Sequence, residues 1–133
     1  MAHDEDDEAR ARIWIIGADH WPRAYLRAEL IERGYDAVGY LGIRDALVDL
    51  ALAPTRRPSH DVLDLLGQIE DETVVAALIG QGAPVVALAG ATAATEERLL
   101  HHPWAAFLRR PLTIGQVADL VDRRLTEAPH DGE

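Results

Sequence analysis

The side chains of this chain that could do chemistry are few. Asp19 and His20 follow a short apolar run, Asp64 sits in a second, and Arg110 follows a third. Paired carboxylates could hold a divalent cation, and a guanidinium could neutralise an anion. Other chemistries are excluded by composition. There is no Cys, so no thiol nucleophile, disulfide frame or Cys-ligated zinc. There is no Lys, so no Schiff base and no Walker A loop. There is no Asn, so no N-glycosylation acceptor. Ser59 is the lone serine and has no evident His and acid partners, so no hydrolase is proposed. His101 and His102 are neighbours at a helix end, where adjacent positions face apart; they read as polar ends and not as a metal pair. His20 and His60 read as lone loop residues.

These groups need elements to position them. The chain has 133 residues, a size for one domain with one core. Residues 1–10 read as a disordered acidic tail, 11–126 as the domain and 127–133 as a short tail. Within the domain, strands and helices alternate. The run 12–17 is a β-branched and aromatic strand, and Pro22 suits the first turn of the next helix. Tyr25, Leu26, Leu30 and Ile31 form that helix's apolar stripe, closed by Arg33 and Gly34. Residues 36–41 are a second strand and 43–52 a second helix, with Leu47, Leu50 and Leu52 among its apolar residues. The segment 61–66 fits a strand, but also a helix, because Val62, Leu65, Leu66 and Ile69 recur at helical spacing. The rhythm of the chain favours strand. A helix over 72–79, a strand over 84–89, a helix over 92–101 and a strand over 105–108 follow. Thr113 and Gln116 form a capping-box pair opening the last helix, whose stripe is Val117, Leu120, Val121 and Leu125. Continuous apolar strands alternating with helices predict an α/β fold, an open, doubly wound parallel five-stranded sheet in three layers.

Ligands in such sheets bind at the carboxyl ends of the strands. The loops there begin at Gly17, Leu41, 64–67, Ala89 and Arg109. Gly17 is alone where a dinucleotide fold needs Gly-x-Gly-x-x-Gly.

At this point the chain resembles the receiver domain of bacterial response regulators, whose sheet has the order 2-1-3-4-5. The resemblance rests on Phe107-Leu108-Arg109-Arg110-Pro111-Leu112-Thr113, on the turn 32–38, and on Pro84-Val85-Val86-Ala87-Leu88-Ala89 as the fourth strand. It covers about residues 11–126. It implies two acidic residues after the first strand for Mg2+, a phosphoacceptor Asp after the third, a hydroxyl after the fourth and Lys after the fifth. This chain departs from that pattern. Gly17-Ala18 follow the first strand, with Asp19 the only nearby carboxylate. Ala89 or Gly90 stands at the hydroxyl position and Arg110 at the Lys position. Counting from Pro58 makes Asp64 the phosphoacceptor; counting from Asp61 puts Leu66 there.

The resemblance, with these losses, implies a degenerate receiver, a pseudo-receiver. It would act as a stand-alone, phosphorylation-independent interaction module in signalling, and not as an enzyme. Asp64 is the residual phosphoacceptor, Asp19 and Asp64 the weak Mg2+ candidates, and no cofactor is expected. The pocket at the strand ends comprises Asp19, Asp64, Ala89 and Arg110. The partner is another signalling protein or a second copy, bound through the face 92–102, 105–109 and 113–125. Phe107 is at the family's switch position and Arg109 is beside it. No output domain follows, so any effect would run through a separate protein.

The net charge of -10 argues against nucleic acid. The lack of a long apolar run argues against a membrane span, and the acidic start is unlike a signal peptide, so a cytoplasmic location is expected. The alternatives are a divergent response regulator phosphorylated on Asp64 and a small-ligand sensor at the strand ends. Ala18-Asp19-His20 and Ala89-Gly90-Ala91 faintly resemble cobalamin-binding domains, but Asp19 and His20 are adjacent, against that family's Asp-x-His spacing. Trp14 is expected in the core; Trp21 and Trp104, each beside a proline, are either core or binding anchors.

Overall fold

The computed structural model describes residues 10–68, 71–90, 99 and 101–127. In chain order the elements are β1 (Arg12–Ile16), α1 (His20–Glu32), β2 (Asp36–Tyr40), α2 (Ile43–Leu52), β3 (His60–Asp64), α3 (Glu72–Gly80), β4 (Val85–Ala89), β5 (Ala106–Arg109) and α4 (Ile114–Glu127). The strands form one parallel sheet in the order β2-β1-β3-β4-β5. This is the doubly wound topology expected from the alternation. The helix expected over 92–101 and the expected tails fall largely outside the described residues. Among the described residues, no helix is long and apolar enough to cross a membrane.

Alternation along the strands builds two cores. Trp14, Ile16, Leu63, Val85 and Ala87 face α2 and α3, meeting Ile43, Ala46, Val75 and Leu78. Ile13, Ile15, Val62, Val86 and Leu88 face α1 and α4, meeting Leu26, Leu30, Val117, Ala118 and Val121. Each large side chain removed from water contributes about 1.5–3 kcal/mol. Trp14 is core, as expected, and its ring meets Tyr40 edge-on at 5.4 Å.

The segment open between strand and helix is a strand. Backbone pairing sets Ile16 beside Leu63 and Asp64 beside Leu88. That register ends β3 at Asp64, while Leu66 lies beyond it in the loop, half exposed.

Local chemistry fixes the helix ends. Thr113 Oγ1 accepts from the Gln116 amide at 3.0 Å, and Gln116 Oε1 accepts from the Thr113 amide at 2.8 Å. This is the reciprocal capping box. At the end of α1, Gly34 takes φ +96°. Its amide donates to the Ile31 carbonyl at 3.0 Å and the Tyr35 amide to the Leu30 carbonyl at 3.0 Å. That is a Schellman closure, which needs a left-handed residue at this position.

The helix stripes are narrower than the sequence suggested. Leu26 and Leu30 of α1 are buried, but Tyr25 and Ile31 are exposed. Each is one position off the buried row, a turn of about 100° around the axis. Leu52 is 79% exposed, although Leu50 in the same last turn of α2 packs against the first core. His20 and His60 are not loop residues: His20 opens α1, and His60 is the buried first residue of β3.

Candidate functional site

The carboxyl ends of β1, β3 and β4 converge between the starts of α1 and α4. Asp64 is nearly buried there, on the face that carries Val62. Its Oδ2 accepts from Arg110 Nη2 at 2.6 Å, and its Oδ1 accepts from the Leu66 amide at 3.0 Å. Arg110 is the residue after β5. Its Nη1 also donates to the Ala89 carbonyl at 3.2 Å, and its backbone amide reaches the same oxygen at 3.0 Å. The sheet therefore unites Asp64, Ala89 and Arg110 from three strands. Ala89 contributes only its carbonyl and is wholly buried.

Gly17 lies against this pair. A Cβ built on it would sit 3.2 Å from the Asp64 Cβ, so any side chain there requires Asp64 to give way. The Gly17 carbonyl accepts from Arg23 Nη1 at 2.5 Å. Asp19 caps the start of α1 in extended conformation, with no side-chain hydrogen bond to the helix, and its side chain reaches the rim of the cleft.

Receiver-type Mg2+ binding fits these donors poorly. Among the described residues, no three groups of the carboxylate, imidazole or thiol type gather where they could hold a metal. Gly17 and Ala18 offer no side-chain oxygen, and Asp64 is already matched to a guanidinium. An octahedral cation usually takes one or two carboxylates plus phosphate. Here the fixed cation of Arg110 stands against the Asp64 carboxylate.

A cleft of about 280 Å³ opens beside the pair. Ile15, Val62 and Leu88 floor it, and Leu26 and Val117 wall it from α1 and α4. Trp21 and Tyr25 stand at its mouth, 61% and 58% exposed, with ring centroids 5.7 Å apart and planes 29° apart. Of the two ambiguous tryptophans, Trp21 is thus the exposed one. Trp104 is half-buried, and its indole donates to the Leu99 carbonyl at 2.9 Å.

Phe107 lies on the other side of the sheet, half-buried against the first core. Arg109 is exposed, with its guanidinium carbon 5.3 Å from the Phe107 ring centroid, a cation–π contact. His101 is exposed, and the His102 ring packs on Trp104 at 5.5 Å.

Two buried polar residues at the far end of β3 were missed in the sequence. Asp61 is fully buried; one oxygen accepts from Gln81 Nε2 at 3.0 Å and the other has no partner among the described residues. Burial lifts its pKa from 3.8 to about 8, against the opposing pull of the Gln81 hydrogen bond. Burial, and then the Arg124 guanidinium, push the His60 pKa below its usual value. The only available signal was their place at the head of an apolar run, where polar residues ordinarily mark an exposed strand end.

No protein-family model matches the sequence, and no curated protein matches it. Solved structures do match in fold. A response regulator receiver protein from Pseudomonas putida superposes with a TM-score of 0.71 at 24% identity, over 86% of this chain and 98% of that one. One from Burkholderia phymatum gives 0.71 at 20% identity, over 88% and 96%. One from Sinorhizobium medicae gives 0.69 at 21% identity, over 90% and 98%. The chain has the fold of response regulator receiver domains.

Proposed function

We propose that the chain is a binding module of bacterial signalling, a receiver-type domain that works without phosphorylation. The observation that carries this reading is the 2.6 Å ion pair of Arg110 with Asp64 beside the side-chain-free Gly17. Phosphoryl transfer depends on neutralising charge on the transferred oxygens. In this site the cation is spent on the acceptor itself, and the carboxylates that would bring Mg2+ are replaced by Gly17 and Ala18. Ala89 supplies no hydroxyl to relay a change toward Phe107.

The output then runs through binding another signalling protein or a second copy of this chain. The surface favoured for it is the β5 edge of the sheet, flanked by α4, with Phe107 and Arg109 together on the face opposite α4. An exposed arginine over an aromatic ring is a composition common at binding hot spots. Phe107→Ala, judged on variant protein whose circular dichroism shows it folded, should weaken partner capture at least tenfold; unaltered capture would remove this surface from consideration.

The test of the site is an amide NMR titration with Mg2+ and then beryllofluoride, a mimic of the acyl phosphate. The expected result is no shift at Gly17, Asp64 or Arg110 at millimolar Mg2+. Saturable shifts that spread from Asp64 to Phe107 would establish the other reading, a divergent phosphoacceptor using Asp64.

A further inference from the structure

Beyond the partner surface, we propose that the cleft between α1 and α4 binds a small, uncharged, planar molecule with a lactam-type edge, a C=O beside an N–H. Three observations on independent residues carry this.

The first is the unfilled space. The cleft of about 280 Å³ reaches down to Val62, Leu26 and Val117, side chains that are otherwise out of solvent. A concave apolar recess open at one end is the usual setting of a small-molecule site. Its volume lies at the small end of the roughly 300–1,000 Å³ range of ligand pockets, and its floor is apolar. That suits a compact two-ring body.

The second is the mouth. Trp21 and Tyr25 stack on each other with more than half of their surface in water. Their faces give a planar guest an aromatic surface to lie on.

The third is the polar inner end. The Arg110 guanidinium has five N–H donors, and the contacts to Asp64 and Ala89 leave donors over. The Asp64 carboxylate keeps free lone pairs. A donor fork beside an acceptor is the complement of an edge that offers C=O and N–H together. The charges lining the cleft cancel: Asp19 and Asp64 against Arg23 and Arg110. The net charge of -10 repels anions at long range. The balanced lining is what favours an uncharged guest over either ion.

The experiment uses the full chain and quinolin-2(1H)-one as the probe, with 1-methylquinolin-2-one as the analogue lacking the N–H. The parent probe should shift the amides of Gly17, Trp21, Leu66, Arg110 and Ile114 at sub-millimolar to millimolar concentration. It should also raise Tm by mass action. The methylated analogue should bind about tenfold more weakly, the loss of one hydrogen bond to a charged group. Trp21→Ala, an exposed position that cannot unsettle the core, should weaken the parent probe at least threefold. Arg110→Met should weaken it about tenfold. Absence of shifts at millimolar probe, or equal affinity for the two quinolinones, would overturn the proposal.

Discussion

Asp61, the second residue of β3, and Gln81, just beyond α3, share a buried hydrogen bond of 3.0 Å that leaves one oxygen on each side chain without a partner among the described residues. A carboxylate in that position is unfavourable, which is why its pKa rises from 3.8 to about 8. The native state keeps a proton there that the unfolded chain releases near pH 4.

The sign of the pH dependence follows. Asp61's contribution to stability is fully present below about pH 4 and is lost progressively as pH rises through 8. At about 1.4 kcal/mol per pKa unit the loss is of the order of a few kcal/mol. Asp61→Asn, nearly isosteric and never charged, should flatten this slope. Urea unfolding at about pH 5 and pH 8 checks it: the variant should gain on the native protein as pH rises from the lower value to the higher. Parallel slopes would place the proton elsewhere.

Arg110→Met should destabilise the fold by about 2 kcal/mol, because it strands the nearly buried Asp64 carboxylate. Asp64→Asn should cost less. The double variant should cost less than the sum of the two, a coupling that a double-mutant cycle measures directly. Strict additivity would mean that the ion pair does not exist in solution.

Two glycines should respond oppositely to alanine. At Gly34 a Cβ meets nothing within 4 Å, but φ is +96°. Gly34→Ala therefore costs about 1–2 kcal/mol from backbone strain alone. At Gly80, the last residue of α3, a Cβ also meets nothing within 4 Å. Gly80→Ala should stabilise by up to about 1 kcal/mol through helix propensity. Chemical denaturation of the two variants side by side is the measurement.

Thr113→Ala should cost about 1 kcal/mol, since it deprives the Gln116 amide of its acceptor at the start of α4. Thr113→Ser keeps the hydroxyl and should recover most of the loss. Equal losses for the two would assign the effect to the Thr113 methyl rather than to the cap.

Much of the fold was legible because its signals are local. Ile13 to Ile16, Val85 to Ala89 and the Thr113–Gln116 pair declare their elements within a few residues. The register of β3 was not legible. Val62, Leu65 and Leu66 satisfy two periods at once, and pairing with β1 and β4, far away in sequence, decides the matter. The site shows the same division. Asp64 and Arg110 were each singled out, yet their contact spans 46 positions, and only the sheet order brings them together. The polar end of the cleft was legible as the strand-end residues Asp19, Asp64 and Arg110, while its apolar walls were not, since they depend on how α1 and α4 lean on the sheet. Tyr25 was placed in the buried stripe because an aromatic one position off a helix stripe looks like part of it.

At the far end of α1 from the cleft, Arg33 donates to Glu29 at 2.9 Å on its own helix, and to Asp119 at 2.9 Å and Asp122 at 2.6 Å on α4. The Tyr35 hydroxyl also donates to Asp122. The two helices are thus pinned together at one end and parted at the other. The pair has the outline of tongs, tied at Arg33 and open at Trp21 and Ile114. A change at the open end therefore meets an anchored far end, with α4 held along its length by Val117, Ala118 and Val121 against the sheet.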